Sequence, residues 1–350
     1  MILRRVTDHL VGTAAAAVDR AVTRAVDASS RRRGSSRLSV SHEARVAFLE
    51  RVALEYPAAS LEFFGEAPPI APLQRRVRDE GGVEVSDLTW PSDYTPYLSS
   101  YAPRYLRVPE NGFGVARLFT RGRPRPIAVI VHGYMSGHLP IEERLWPLAE
   151  LDALGYDAAL FVLPFHGLRG SPTGGRIPLF PGTDPRMTNE GFRHSMRDLR
   201  GLLAWLRARG HGKVGMLGMS LGGYTAALAA TLDTKLDFLV PVIPLASIAD
   251  FARELGSLSP GAEAAAKEHA LLERALHVVS PVALAPRVAP DRVLVVGARA
   301  DRVTPIAHAR RLAGHFGAPL VAWPGGHLLQ LGRRQSFERV YELLRRVRDT

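Results

Sequence analysis

Apolar positions along the chain follow two periods, and the points where one gives way to the other predict most of its elements. Residues 1–28 place Leu3, Val6, Leu10, Ala14, Val18, Val22 and Ala25 three or four apart, with Arg4, Arg20 and Arg24 off that stripe. That spacing predicts an amphipathic helix. The polar run SSRRRGSSR at 29–37 reads as a linker, and a second helix is expected over about 42–56, capped by Ser41 and ended by Pro57. From 68 to 109 the period dissolves among prolines and aromatic residues. One strand is expected there, at 83–90, followed by Trp90, Tyr94, Tyr97, Tyr101 and Tyr105, which either pack across a sheet edge or wall a substrate pocket.

Beyond Asn111 short apolar runs alternate with helical stretches. Strands are predicted at 113–119, 127–131, 158–163, 214–217, 238–243, 292–296 and 320–323, and helices at 141–154, 189–209, 222–232, 306–316 and 336–347. Such alternation implies an α/β fold with a mostly parallel central sheet and helices on both faces. Between about 247 and 290 the alternation stops for a long stretch containing a helix at 262–276. An insertion between two core strands lies over the carboxyl ends of the sheet, where open α/β sheets bind ligands, so this segment is a candidate lid. The chain thus divides into an N-terminal extension, 1–110, with an amphipathic helix, basic linker, helix and the first strand or strands, and a core domain, 111–350.

Composition narrows the function. A chain 46% hydrophobic and 23% charged, without an apolar run of membrane-spanning length, reads as a globular protein rather than a spanning one. The net charge of +11 comes almost wholly from scattered arginine, with only Lys213, Lys235 and Lys267 as lysines, and no recognition motif accompanies it, so no nucleic-acid partner is expected. The absence of cysteine excludes disulfides, thiolate metal sites and a thiol nucleophile. The histidines lack any dense ligand spacing, so neither metal nor cofactor is called for. Arg4 and Arg5 followed by LVGTAAAAV superficially resemble a leader peptide, but Asp8 and Asp19 bracket the run and the helical period continues through Val26. A cytoplasmic location is the expectation. The helix at 1–28 is expected to pack on the protein or on another subunit, with peripheral contact to an anionic membrane as the alternative.

The chemistry centres on VGMLGMSLGGYTAAL at 214–228. A serine hydroxyl needs exposure, a base for its proton and donors for the oxyanion that follows. Gly218, Met219, Ser220, Leu221 and Gly222 form G-x-S-x-G between a predicted strand and a predicted helix, the setting in which a serine is held on a tight turn. Upstream, the strand at 127–131 runs into VHGYMSG. The N–H of Tyr134 is the expected oxyanion donor from that loop, with Met135 the alternative, and the N–H of Leu221 is the second donor; His132 is expected to shape the loop. Downstream, GARADRVTP places Asp301, and PGGHLL places His327, each just after its own predicted strand. The order Ser220, Asp301, His327 is that of a nucleophile, acid and base on an α/β sheet. Asp250 is the competing acid.

These stretches, VHGYMSG, GMSLGG, ARADRVTP and PGGH, resemble the α/β-hydrolase superfamily from about Asn111 to the C-terminus. They look most like the serine-dependent branch related to dienelactone hydrolases and prolyl-oligopeptidase-like enzymes. The chain departs in carrying Ser220 where dienelactone hydrolases typically carry cysteine, and in lacking room for a β-propeller. LPFHGLRGSP at 163–172 resembles the loop after the fourth strand, where His166 either contacts substrate or serves structure. The resemblance implies a cofactor-independent serine hydrolase acting on a small-molecule or lipid-like ester through an acyl-enzyme. Acyl transfer, amide cleavage and a catalytically silent binding protein are the other readings.

Overall fold

The computed structural model describes residues 11–20, 41–171 and 177–350. A nine-stranded sheet organises them, in the order β1-β2-β3-β5-β4-β6-β7-β8-β9. The strands are β1 (Leu73–Glu80), β2 (Val83–Pro91), β3 (Phe113–Thr120), β4 (Ile127–Val131), β5 (Asp157–Val162), β6 (Val214–Met219), β7 (Leu239–Val242), β8 (Val295–Ala298) and β9 (Leu320–Trp323). The pairings β1·β2, β2·β3 and β3·β5 are antiparallel; the rest, from β5 through β4 to β9, are parallel. The expected mostly parallel sheet is therefore present, extended at one edge by three antiparallel strands.

Strand pleating divides the core in two. Ile127, Val129 and Val131 of β4 face one layer, with α7 (Pro185–Ala208), α8 (Leu221–Ala229), α10 (Ala262–Leu276) and α11 (Ile306–Phe316). Ala128 and Ile130 face the other, with α5 (Leu139–Leu145), α6 (Leu148–Ala153) and α12 (Arg333–Arg348). All five β4 residues are buried, as a central parallel strand covered on both faces requires.

Several elements differ from expectation for identifiable reasons. The helix predicted at 141–154 is two helices, α5 and α6, because Pro147 has no N–H to continue the ladder. Helix α7 starts earlier than predicted: Asp184 accepts from the N–H of Arg186, and Pro185 takes the first helical position. The strand expected at 292–296 begins only at Val295, after a short 3-10 turn at Pro290–Arg292. Strand β1 was hidden because LQRRVRDE has no apolar alternation. It is an exposed edge strand, and its arginines pair with Asp87, Asp79 and Glu143, charges that discourage edge-to-edge pairing.

In the extension, α1 (residues 11–20) is helical, as expected, and α2 (His42–Glu55) is capped by Ser41. The remainder of the predicted first helix and the linker lie outside the described residues. The buried face of α1 is not the predicted one. Ala14 and Val18 are exposed, whereas Ala15, Ala16 and Asp19 are buried. Close approach of this helix selects its smallest side chains, not its largest apolar ones. Helix α2 packs on α10 of the insertion, where the buried Glu268 carboxylate meets His42 Nδ1 at 2.8 Å and Arg45 at 3.0 Å. The insertion at 247–290 also contains α9 (Ile248–Glu254), and α10 rests against α7, where Asn189 donates to the carbonyl of Ala275.

Candidate active site

The strand order reverses around β4, which has β5 on one side and β6 on the other. Loops leaving the carboxyl ends of these strands diverge, and the gap between them is where such sheets place ligands. Ser220 leaves β6 at that point with φ 56° and ψ −113°, a conformation that L residues with a side chain rarely adopt. Its backbone is pinned: the N–H of Ser220 donates to the carbonyl of Val242 at 2.9 Å, and its carbonyl accepts from Tyr224 at 3.1 Å. The flanking glycines are obligatory. A methyl on Gly222 would lie 2.0 Å from the carbonyl oxygen of Val131, and one on Gly218 would lie 2.1 Å from that of Gly222. The turn is thus packed against β4 so closely that the helix after Ser220 begins within contact of the neighbouring strand.

Asp301 and His327, the candidate acid and base, stand on neighbouring loops in hydrogen-bond contact. His327 Nδ1 lies 2.8 Å from Asp301 Oδ2, and Asp301 is 3% exposed. Asp301 Oδ1 accepts from the N–H groups of Val303 at 2.8 Å and Thr304 at 2.7 Å. With an acceptor-only carboxylate opposite Nδ1, the imidazole carries its proton on Nδ1, leaving the lone pair on Nε2. Two residues that sequence reasoning passed over complete the arrangement. Thr304 Oγ1 stands 3.0 Å from Asp301 Oδ2, from His327 Nδ1 and from the carbonyl oxygen of Ile243, tying the acid loop to the end of β7. Gln330 Nε2 donates to the carbonyl of His327 at 3.0 Å and meets Met219 Sδ at 3.5 Å, linking the histidine loop to the residue before Ser220. Thr304 lies within the ADRVTP stretch, but nothing local marks its reach to the end of β7. Among the described residues no hydrogen bond joins Ser220 Oγ to His327 Nε2.

The loop after β4 lies beside Ser220: a methyl on Gly133 would sit 3.6 Å from Ser220 Cβ. Tyr134 follows, and Met135 after it has φ 60°. Leu221 opens α8, so its N–H has no intrahelical carbonyl to bond. The loop is shaped by Glu142, which accepts from Ser136 Oγ, from the N–H of Gly137 at 3.0 Å and from Trp146 Nε1 at 3.2 Å. His132 shapes it too. Its Nδ1 donates to the Gly133 carbonyl at 2.7 Å while Nε2 accepts from the N–H of Leu163 at 3.0 Å, and burial holds the imidazole below its ordinary range.

The loop after β5 is anchored by a buried arginine. Arg169 donates to the carbonyl oxygens of Val162 and Asn111, to Asp198 Oδ2 at 2.7 Å and to His194 Nε2 at 2.9 Å. In the same loop His166 is buried, its Nδ1 donating to the Pro164 carbonyl at 2.8 Å and its ring set edge-on to Tyr134. Burial drives its imidazole well below the usual value. Four of the five clustered aromatics are packing residues: Trp90, Tyr94, Tyr101 and Tyr105 are buried, and Tyr94 stacks on His194 with ring centroids 4.3 Å apart, whereas Tyr97 is exposed and stacks on Tyr56. Asp250, the competing acid, bonds Arg253, Arg311 and His269 rather than His327.

Comparison with known proteins agrees with this architecture. The family model described as "Alpha/beta hydrolase domain containing 18" matches residues 192–258, the segment that spans Ser220. Two uncharacterized proteins of Mycobacterium tuberculosis are each 32% identical over 286 residues, covering 78% of this chain; the chain spans 66% of their length. Among solved structures, an acetyl xylan esterase from Paenibacillus superposes with a TM-score of 0.55 at 17% identity, covering 83% of this chain and 98% of that one. Acetyl xylan esterase 1 from Thermoanaerobacterium gives 0.56 at 18% identity, covering 86% and 94%. Among the described residues no helix is long and apolar enough to cross a membrane.

Proposed function

We propose that this chain, which has the α/β-hydrolase fold, is a serine hydrolase that cleaves carboxylic esters through an acyl-enzyme. One observation carries the reading: the 2.8 Å contact between His327 Nδ1 and an Asp301 carboxylate already fixed by two backbone N–H groups, on loops adjoining a strained Ser220. The esterase titles of the solved structures that share its fold support the same class.

In this mechanism His327 Nε2 takes the proton from Ser220 Oγ as the oxygen adds to the ester carbonyl carbon. Asp301 keeps Nδ1 protonated and stabilises the imidazolium. The N–H groups of Tyr134 and Leu221 receive the oxyanion, His327 returns the proton to the departing alkoxide, and an acyl group remains on Ser220. Water, deprotonated by His327, then attacks the acyl carbon; the bond to Ser220 Oγ breaks, His327 returns the proton to that oxygen, and the carboxylic acid leaves. The substrate is a small or lipid-like ester.

A fluorophosphonate probe tests the reading directly. Labelling at Ser220, abolished in Ser220→Ala, is expected; a folded wild-type protein that stays unlabelled overturns it. Hydrolysis of p-nitrophenyl esters of rising acyl length places the substrate, and a sharp preference for two to four carbons removes the lipid-like class.

A further inference from the structure

The first helix reaches the opposite end of the chain through one carboxylate. Asp19 is 0% exposed, and it accepts from three backbone N–H groups: His327 at 2.8 Å and Arg302 at 3.1 Å, both onto Oδ2, and Leu328 at 3.0 Å onto Oδ1. Two of these belong to the candidate base and its successor, the third to the residue after the candidate acid. The two loops also run side by side, the N–H of Ala300 donating to the carbonyl of Gly325 at 3.1 Å.

The surroundings are cut to fit this contact. A methyl on Gly326 would lie 2.6 Å from Asp19 Oδ2, so the residue before His327 has no room for a side chain. A methyl on Gly12 would lie 3.3 Å from the carbonyl oxygen of Pro324 and 3.5 Å from Ala300 Cβ. Ala15 and Ala16 pack on Ala300 and Leu329. Small residues on α1 thus let the helix lie directly across both loops and deliver the carboxylate between them. A buried carboxylate is expensive unless charge-assisted bonds satisfy it, and among the described residues three such bonds come from the loops that carry Asp301 and His327.

We propose that Asp19 is a positioning residue for the triad, and that α1 is a strap setting the backbone of the His327 loop relative to Asp301 and Ser220. This rests on the serine-hydrolase reading above. The physical consequence is specific: displacement of an imidazole by about an ångström costs on the order of a hundredfold in rate, while substrate binding elsewhere is untouched.

The test uses the full chain, p-nitrophenyl acetate kinetics, fluorophosphonate labelling rates and amide hydrogen exchange over 326–329. Asp19→Asn keeps the shape but offers one acceptor oxygen in place of two. It is expected to lower kcat about tenfold or more, to leave KM within about twofold, to slow labelling in parallel and to speed exchange at His327 and Leu328. Asp19→Ala is expected to lose more, with Asn thus a partial rescue. Ala17→Glu, on the exposed face of the same helix, leaves kcat unchanged. Should Asp19→Ala fail to fold, Gly326→Ala displaces the carboxylate from the other side and is expected to reproduce the kcat loss. A folded Asp19→Asn or Asp19→Ala with wild-type kcat and labelling overturns the proposal, as does a defect confined to KM or to thermal stability. If wild-type protein is itself unlabelled, the serine-hydrolase reading fails, and unchanged exchange at 326–329 in Asp19→Asn then refutes the strap separately.

Discussion

Acidification from pH 7.5 to pH 4 is expected to remove about 3 kcal/mol of stability through one side chain, His194 on α7. Burial pulls its imidazole down to about 4, against an ordinary value of 6.5, despite the opposing pull of the Asp198 carboxylate. Its neighbours explain why a second proton is unwelcome: Arg169 donates to Nε2 at 2.9 Å, Ser92 Oγ lies 2.7 Å from that atom, Tyr105 Oη lies 3.0 Å from Nδ1 and Arg197 adds like charge. Because the folded value is the lower one, the unfolded chain takes the proton first. Stability is complete above about 6.5 and drains as pH falls to and through about 4; that gap, at about 1.4 kcal/mol per pH unit, gives the figure. Burial pushes Asp198 up, but Arg169, His194 and Ser92 outweigh it and hold the carboxyl at about 2, so Asp198 stays ionised over this range. His194→Gln retains an acceptor for Arg169 without titrating. Urea unfolding followed by tryptophan fluorescence at both pH values is the assay, and the variant is expected to lose about 3 kcal/mol less than wild type. Other buried histidines, such as His132 and His166, titrate in both proteins and cancel in the difference. Equal losses refute the neutral buried imidazole, and with it the account of how Arg169 anchors the loop after β5.

Two substitutions probe the site itself. Gly222→Ala forces a methyl to 2.0 Å from the Val131 carbonyl oxygen and is expected to cost more than about 3 kcal/mol, read as loss of soluble protein or of Ser220 labelling; wild-type yield and labelling contradict it. Thr304→Val keeps the volume but removes the hydroxyl shared by Asp301 and the Ile243 carbonyl. A fall of about 1–3 kcal/mol in stability and about tenfold in kcat is expected, measured by urea unfolding and ester hydrolysis, and an unchanged variant refutes the bridging role.

What was legible in the sequence followed local rules. Ser220 sits where glycines, an apolar strand and a helix share one turn, and Asp301 and His327 stand immediately after strands, so position along the chain sufficed to place them on one end of the sheet. Thr304, Gln330 and Asp19 were not legible as parts of the site, because their partners are set by tertiary approach. Asp19 bonds groups 308 and 309 residues away, and in the sequence it reads only as a charge bracketing an alanine-rich run. The same blindness misassigned the buried face of α1. Apolar periodicity finds the face with the most hydrocarbon, whereas a helix lying close on two loops needs the face with the least bulk.

That difference explains how the extension finds its place. Helix α1 buries little hydrocarbon, since its contact face is glycine and alanine, so apolar area alone fixes its register weakly. Buried carboxylates supply the missing specificity at three separate points. Asp19 takes three N–H groups from the His327 and Asp301 loops. Glu190 on α7 accepts from Tyr56 Oη at 3.0 Å, Tyr94 Oη at 2.5 Å and the N–H groups of Tyr97 at 2.8 Å and Leu98 at 3.1 Å. Glu268 on α10 takes His42 and Arg45 from α2. In each case a carboxylate on one side of the junction between extension and core is matched by donors on the other. A docking shifted by one helical turn would strip donors from each carboxylate, and at Glu190, whose four donors named here all come from the extension, it would leave a buried charge unpaired at a penalty of about 3–5 kcal/mol. Correct register is therefore enforced by what misregister would cost, and the junction at Asp19 enforces it at the backbone of the candidate catalytic histidine.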